Sequence, residues 1–240
     1  MGLDLNGNKL FSTSIGPKGE VIKQLVTQGL TMHLDAGNKN SYVGSGTSWL
    51  DLNGSNNGTL TNSPTFNSSN GGSIVFDGVN DYVSLGNSNI FSITNQVSVF
   101  SWVNIDSASG WDGIFGADSN SGGFMHFQLF NGGLNAYMYG PNVGYDRLDG
   151  VNLTAGTWNE VGLTFGDTVL RMYINGQQLS TTVNGTANNF SSATDIRIGR
   201  VHDDSRFFGG KIAICKVYNR TLTSTEIKQN YNAQKSRFGL

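Results

Sequence analysis

The sequence carries a single cysteine, Cys215, which excludes an internal disulfide framework and a cysteine-rich zinc site. Its setting, Lys211-Ile212-Ala213-Ile214-Cys215-Lys216-Val217-Tyr218, reads as a strand holding a buried structural thiol. Charge is also scarce. Asp, Glu, Lys and Arg make up 13% of the chain, about half the usual share. The formal net charge of −2 leaves no field to draw in nucleic acid or an anionic membrane, so neither is expected as a partner. No apolar run approaches the roughly 20 residues of a membrane span. The start, Met1-Gly2-Leu3-Asp4-Leu5-Asn6, lacks the layout of a signal peptide, and Asn6 stands where a myristoylation signal has Ser or Thr. Synthesis in a cytoplasm is therefore the expectation. Proline numbers only 3 against 33 glycines, and polarity comes from Asn, Ser, Thr and Gly. Gly and Asn tolerate positive φ, so this profile favours many strands joined by tight turns. With 240 residues, 37% of them apolar, the chain can bury a substantial core of its own.

The first 27 or so residues differ from the rest. Phe11-Ser12-Thr13-Ser14-Ile15-Gly16-Pro17-Lys18-Gly19-Glu20 shows no alternation, and the apolar patch Val21, Ile22, Leu25, Val26 fits a helical turn or an edge strand. This segment reads as an N-terminal arm or as a leader. As an arm, its anchoring candidates are Phe11, Ile15, Pro17, Val21, Ile22 and Leu25.

Residues 28–240 read as one β-sandwich. Leu30–Asp35 is the first strand, and Trp49 and Leu50 anchor the polar loop that follows. One strand ends at Phe76-Asp77-Gly78 and the next starts at Asp81-Tyr82-Val83. In Gln96–Ile105 the β-branched residues Val97, Val99, Val103 and Ile105 share one face. Phe124 to Gly140 is a hairpin about Asn131-Gly132. A two-residue loop sets Phe127 against Ala136, Leu129 against Leu134 and Met125 against Met138. Phe124, His126, Gln128, Asn135, Tyr137 and Tyr139 then collect on the opposite face. Asn175-Gly176 marks a second hairpin, and Trp158–Phe165 and Asp195–Gly199 add strands. Strands recurring without helical pattern indicate a sandwich. The chain closes with a helix over about 223–234. Thr223-Ser224-Thr225-Glu226 forms its capping box, Leu222 and Ile227 its hydrophobic staple, and Ile227 and Tyr231 its buried side.

Four segments in order resemble a known family. Phe76-Asp77-Gly78-Val79-Asn80-Asp81-Tyr82-Val83, Gly156-Thr157-Trp158-Asn159, Leu170–Gly176, and Gly209–Ala213 continuing through Val217–Thr223 are similar to laminin-G-like/concanavalin A-like lectin domains. The resemblance implies an all-β, concanavalin A-like/laminin-G-like jelly-roll sandwich. The stretches around Leu34-Asp35-Ala36-Gly37 and the final Tyr231–Leu240 also resemble domains of tailed-phage virion proteins, marine ones among them.

That family includes glycoside hydrolases, which resemble one another in a Glu-x-Asp-x-(x)-Glu strand. Here the glutamates are Glu20, Glu160 and Glu226, no two of them close in sequence. Glu160 reads as a solvated charge at a strand edge, and no catalytic residue is assigned. His33, His126 and His202 lack metal-ligand spacing, and Gly16-Pro17-Lys18-Gly19 lacks a phosphate-loop pattern. No cofactor is expected. Calcium is the weak exception: Asp77, Asn80 and Asp81 offer hard oxygen ligands, although they also make turns. Asp203-Asp204, beside His202 and Arg206, reads as a solvated loop. The best ligand-binding candidates are His126, Gln128, Asn135, Tyr137 and Tyr139, whose rings suit sugar stacking and whose polar groups suit hydroxyls. A sheet face or subunit contact is the alternative.

The resulting expectation is a non-enzymatic phage virion structural protein: a head decoration, head fibre or tail-fibre component. It would be anchored to virion proteins through its arm, form a homo-oligomer and display a lectin-like sandwich. The alternative is a carbohydrate-binding lectin module that recognises host-surface glycans, and a glycoside hydrolase stands behind both.

Overall fold

The structure, a computed structural model, describes residues 14–15, 21–22, 24–86, 96–118, 124–139, 146–184, 193, 195–201 and 205–240. Alternation decides which face each strand presents. Phe124–Phe130 and Gly133–Tyr139 pair antiparallel, with Phe127 opposite Ala136, Leu129 opposite Leu134 and Met125 opposite Met138. This is the register expected from keeping the aliphatic residues on one face. Asn131 at φ 49° and Gly132 at φ 75° supply the left-handed pair that the turn needs, and Asn175 and Gly176 repeat it at 50° and 74°.

Two eight-stranded sheets stack face to face. The first runs in the order Asp146–Asn152, Gly133–Tyr139, Phe124–Phe130, Trp111–Asp118, Asp195–Ile198, Tyr82–Gly86, Gly58–Thr61, Ser48–Trp49. The second runs Gln177–Asn184, Val169–Ile174, Trp158–Gly166, Val97–Ile105, Gly209–Tyr218, Ser73–Asp77, Thr65–Asn67. Leu30–Asp35 lies beside the C-terminal half of Gly209–Tyr218. The core between the sheets gathers Met125, Phe127, Leu129 and Met138 from the first with Val97, Val99, Val103, Val161, Leu163 and Phe165 from the second. Each such side chain contributes roughly 1.5–3 kcal/mol of burial. Trp49 is in this core, but Leu50 is 44% exposed. That corrects its reading as an anchor: alternation turns the neighbour of a buried strand residue outward.

The second sheet is buried on both faces. Every residue of Val97–Ile105 and Trp158–Gly166 is buried. The outer face, with Phe100, Trp102, Trp158, Tyr173 and Tyr218, is covered by the helix Ser224–Gln234 and the short turn Lys235–Phe238. The capping box is present: Glu226 N donates to Thr223 Oγ1 at 3.3 Å, and Thr223 N donates to Glu226 Oε2 at 2.9 Å. Leu222 and Ile227 pack in one cluster with Phe100 and Tyr173. Tyr231 and Phe238 stack on Trp102 at 5.8 and 4.0 Å. Asn230 shares the buried side: its Oδ1 accepts from Val26 N at 2.8 Å and its Nδ2 donates to Tyr218 Oη at 3.0 Å.

Two charges lie beneath this cover. Lys216 Nζ sits 3.1 Å from Glu160 Oε1, with side chains 0% and 1% exposed, and donates to Gln234 Oε1 at 2.5 Å. Glu160 is thus no solvated edge charge. It stands in a central strand whose outer face the helix closes, a long-range packing that local alternation does not reveal. Burial pushes its carboxyl above the usual range, and Lys216 opposes that push. Cys215, on the core side, is also buried, and burial pushes its thiol up to about 12.

The chain ends clasp one another. Arg237 pairs with Asp35 at 2.6 Å and donates to the carbonyls of Asn70 and Gly72, each at 2.6 Å. At the other end Val26 is buried, Leu25 is half-buried, and Gln24 O accepts from Gln229 Nε2 at 2.7 Å. Ser14–Ile15 pairs with Val21–Ile22 in a separate two-stranded ribbon, which carries Ile15, Val21 and Ile22. Phe11 and Pro17 lie outside the described residues. Among the described residues no helix is long and apolar enough to cross a membrane.

Removing one member of the buried pair leaves a charge sealed in apolar surroundings. K216M is expected to lower stability by about 3–5 kcal/mol in urea unfolding, and K216M/E160L to regain most of that loss. Equal losses in the single and double variants would contradict the pairing.

Candidate functional site

The outer face of the first sheet takes the side chains that alternation excludes from the core. Antiparallel pairing places Gln128 between Asn135 and Gly113, His126 between Tyr137 and Gly116, and Phe130 between Gly133 and Trp111. The predicted residues His126, Gln128, Asn135 and Tyr137 therefore do come together. The Tyr139 side chain lies outside the described residues, as do His202, Asp203 and Asp204.

A strap crosses this face. Arg200–Val201 pairs with Arg206–Phe207 and lies over Trp111–Asp118. Glycine lets it lie close: a Cβ on Gly113 would stand 2.5 Å from Arg206 O and 2.6 Å from Val201 N, and one on Gly116 would stand 2.8 Å from Arg200 O. The predicted polar residues are a floor, not an open surface. His126, Gln128, Asn135 and Tyr137 are 4%, 0%, 2% and 3% exposed.

Two groups of contacts organise the floor. Around His126, Asp118 lies 2.8 Å from its Nε2 and 2.7 Å from Arg197 Nη2. Arg197 also pairs with Asp195, which lies 3.6 Å from Arg200. Burial opposes ionisation of Asp118, but His126 and Arg197 outweigh it and hold the carboxyl below the usual range. Around Gln128, Arg206 Nη1 donates to Gln128 Oε1 at 2.9 Å while its guanidinium lies 3.8 Å from the Trp111 ring centroid. Trp111 and Phe130 are 4.2 Å apart between centroids, and Phe130 is 40% exposed. Gln128 Nε2 and Asn135 Oδ1 are buried without a hydrogen-bond partner among the described residues. Unpaired buried amide atoms cost about 1–3 kcal/mol each.

Trp111, Phe130 and Arg206 were missed by sequence reasoning. Phe130 continues the 124, 126, 128 series and was legible from alternation alone. Arg206 reaches Gln128 across 78 residues of chain, so no local pattern could place it there.

The other candidates are occupied by the fold. Asp77 Oδ1 accepts the N–H groups of Val79, Asn80 and Asp81, and Asp81 Oδ2 accepts that of Asp77. These bonds build the turn that carries the chain from one sheet to the other. Among the described residues no group of three or more His, Cys, Asp or Glu side chains could hold a metal ion. Glu226 is bonded by Arg220 at 2.9 and 2.6 Å besides its capping role. Glu20 lies outside the described residues.

Two antiparallel sheets with a single C-terminal helix define a concanavalin A-like sandwich. The family model of the concanavalin A-like lectin/glucanases superfamily matches residues 77–228, and the chain belongs to that family. No curated protein matches the sequence significantly. Among solved structures, domain 4 of AbnA, a GH43 extracellular arabinanase from Geobacillus stearothermophilus in complex with arabinotriose, superimposes with a TM-score of 0.67 at 18% identity, covering 84% of this chain and 98% of that one. The botulinum neurotoxin serotype D binding domain gives 0.65 at 18% identity, covering 86% of this chain and 52% of that one. Trypanosoma rangeli sialidase in complex with sialic acid gives 0.64 at 18% identity, covering 94% and 36%. The chain thus spans about half of the toxin domain and a third of the sialidase. Likeness at this level shows a shared fold.

Asp112 fixes the base of the strap, because its Oδ1 accepts the N–H of Gly209 at 2.9 Å. Burial raises its carboxyl to about 6, the Gly209 N–H opposing and Asp106 reinforcing the shift. A carboxyl raised on folding adds stability at low pH that is lost as pH rises through its folded value. Relative to D112N, the native chain is expected to lose about 2 kcal/mol between pH 4 and pH 7 in urea unfolding. A constant difference across that range would contradict the assignment.

Proposed function

We propose that the chain is a non-enzymatic structural protein of a tailed-phage particle, displaying a sandwich that binds carbohydrate through the outer face of its first sheet. One observation carries the binding half. The helix seals the second sheet's outer face. The first sheet's outer face instead offers a half-open aromatic pair, Trp111 and Phe130, beside the buried unpaired amide atoms of Gln128 and Asn135. Aromatic rings stack against the C–H face of a sugar while fixed amides order its hydroxyls. His126 and Tyr137 shape the floor, and Tyr139 extends the same strand. Family membership supports this reading, and the neighbour solved with arabinotriose supports it by analogy.

The non-enzymatic half is supported by the placement of the carboxylates. Glu160 is sealed against Lys216, Glu226 is held by Arg220, and Asp118 and Asp195 are both committed to Arg197. None of these pairs flanks an open cleft as hydrolysis of a glycosidic bond requires. The Asp77–Asp81 turn works without calcium in this reading, since its oxygens are already used by backbone N–H groups.

The virion half rests on the resemblance of Leu34-Asp35-Ala36-Gly37 and Tyr231–Leu240 to phage domains. Arg237 and Asp35 join those two stretches, so their likeness records a structural clasp as much as a shared task. The ribbon Ser14–Ile15 with Val21–Ile22 precedes the docked stretch Gln24–Gln28 and suits an anchor in a homo-oligomeric lattice.

One experiment with two arms tests the proposal. On a glycan array the intact chain is expected to bind host-surface sugars without turning them over. N135A, with an unchanged melting temperature, should lower affinity about tenfold. Deleting residues 1–23, ahead of the buried Val26, should abolish incorporation into particles while the sandwich stays folded. Absence of any glycan signal overturns the binding half, and normal incorporation of the truncation overturns the anchor.

A further inference from the structure

We infer that the sugar bound on this face is acidic, and that its carboxylate is taken by Arg206 at the Trp111–Phe130 end of the strip. The inference rests on the carbohydrate-binding reading and adds the class of ligand to it. Three arginines stand on or over this face. Arg197 is paired with Asp118 and Asp195, and Arg200 lies against Asp195. Arg206 forms no ion pair with a described residue. Its contacts are the Gln128 carbonyl at 2.9 Å and the Trp111 ring at 3.8 Å.

That environment pre-forms an anion site. A guanidinium carries five N–H donors in one plane, and Gln128 takes one of them, leaving an edge for a bidentate carboxylate. The Trp111 ring fixes the plane without neutralising the charge. Gln128 Nε2 is a donor, buried and unpartnered among the described residues, on the residue that Arg206 touches. Both groups therefore present hydrogens and neither presents an acceptor, which suits an anion over a hydroxyl. On the next strand Asn135, the cross-strand partner of Gln128, has an unpaired acceptor in Oδ1. An acceptor suits sugar hydroxyls. The two groups thus orient one residue: acid toward Arg206, hydroxyls toward Asn135. The exposed Phe130 and half-buried Trp111 form the apolar side of the seat.

A guanidinium fork can pair with a carboxylate or a tetrahedral oxyanion through two parallel bonds, so the test carries both anionic groups. The intact chain is applied to an array carrying neutral, sulfated, hexuronic-acid and nonulosonic-acid glycans. The strongest signal is expected from a carboxylated glycan. Reducing that carboxyl to the alcohol should cut affinity at least tenfold with the protein untouched. R206Q should lose the same factor for the acid, R206K should regain part of it, and the loss with neutral glycans should be smaller than the loss with the acid. Affinity for the acid should also fall as salt is raised from 50 to 500 mM, conditions chosen to shorten the screening length from about 14 to about 4 Å. Preference for neutral or sulfated glycans, or indifference to carboxyl reduction, would overturn this inference while leaving carbohydrate binding in place. No signal from any class would overturn both.

Discussion

The second sheet is enclosed on both sides, and the rest of the molecule depends on that enclosure. Its inner face closes the core against the first sheet. Its outer face is roofed by the helix Ser224–Gln234 and by Phe238, over Trp102, Trp158 and the ion pair Lys216–Glu160. A charge pair so deep contributes little net stability, but it penalises any packing in which either partner loses the other. Gln234 on the helix completes the pair, and Arg237, three residues on, grips Asp35. The roof is therefore pinned at two polar points as well as by stacked rings.

On that sheet the floor and the rim play different parts. Gly113 and Gly116 let the strap lie flat, and the strap in turn carries Arg206 onto Trp111. A residue that local sequence placed in a solvated loop becomes the charged corner of the strip. Asp118 and Arg197 keep His126 in a closed network, so its contribution is to shape. The face splits into an ion-paired half around Asp118 and a half around Gln128 with unpaired amide atoms.

How much of this was legible varied with the range of the interactions. Both Asn-Gly hairpins, the register at Leu129–Leu134, the capping box and the buried Cys215 all follow from short-range rules, and the structure agrees with them. The sorting of His126, Gln128, Asn135 and Tyr137 onto one face was legible for the same reason. The strap over Trp111–Asp118 was not, because it belongs to a distant segment. Glu160 was misread because alternation says which face a residue takes but not what covers that face. Phe100 and Trp102 were the available clue: large apolar residues on both sides of one strand signal a sheet covered twice. Leu50 erred the other way, as an apolar residue that the structure leaves outside.

Hydrogen–deuterium exchange of the intact chain, with and without its strongest-binding glycan, addresses the central claim most directly. The account predicts new protection on Trp111–Asp118, Phe124–Phe130 and the strap residues Arg206–Phe207, with the helix Ser224–Gln234 unchanged. Protection centred on the helix, or on the turn Asp77–Asp81, would contradict it.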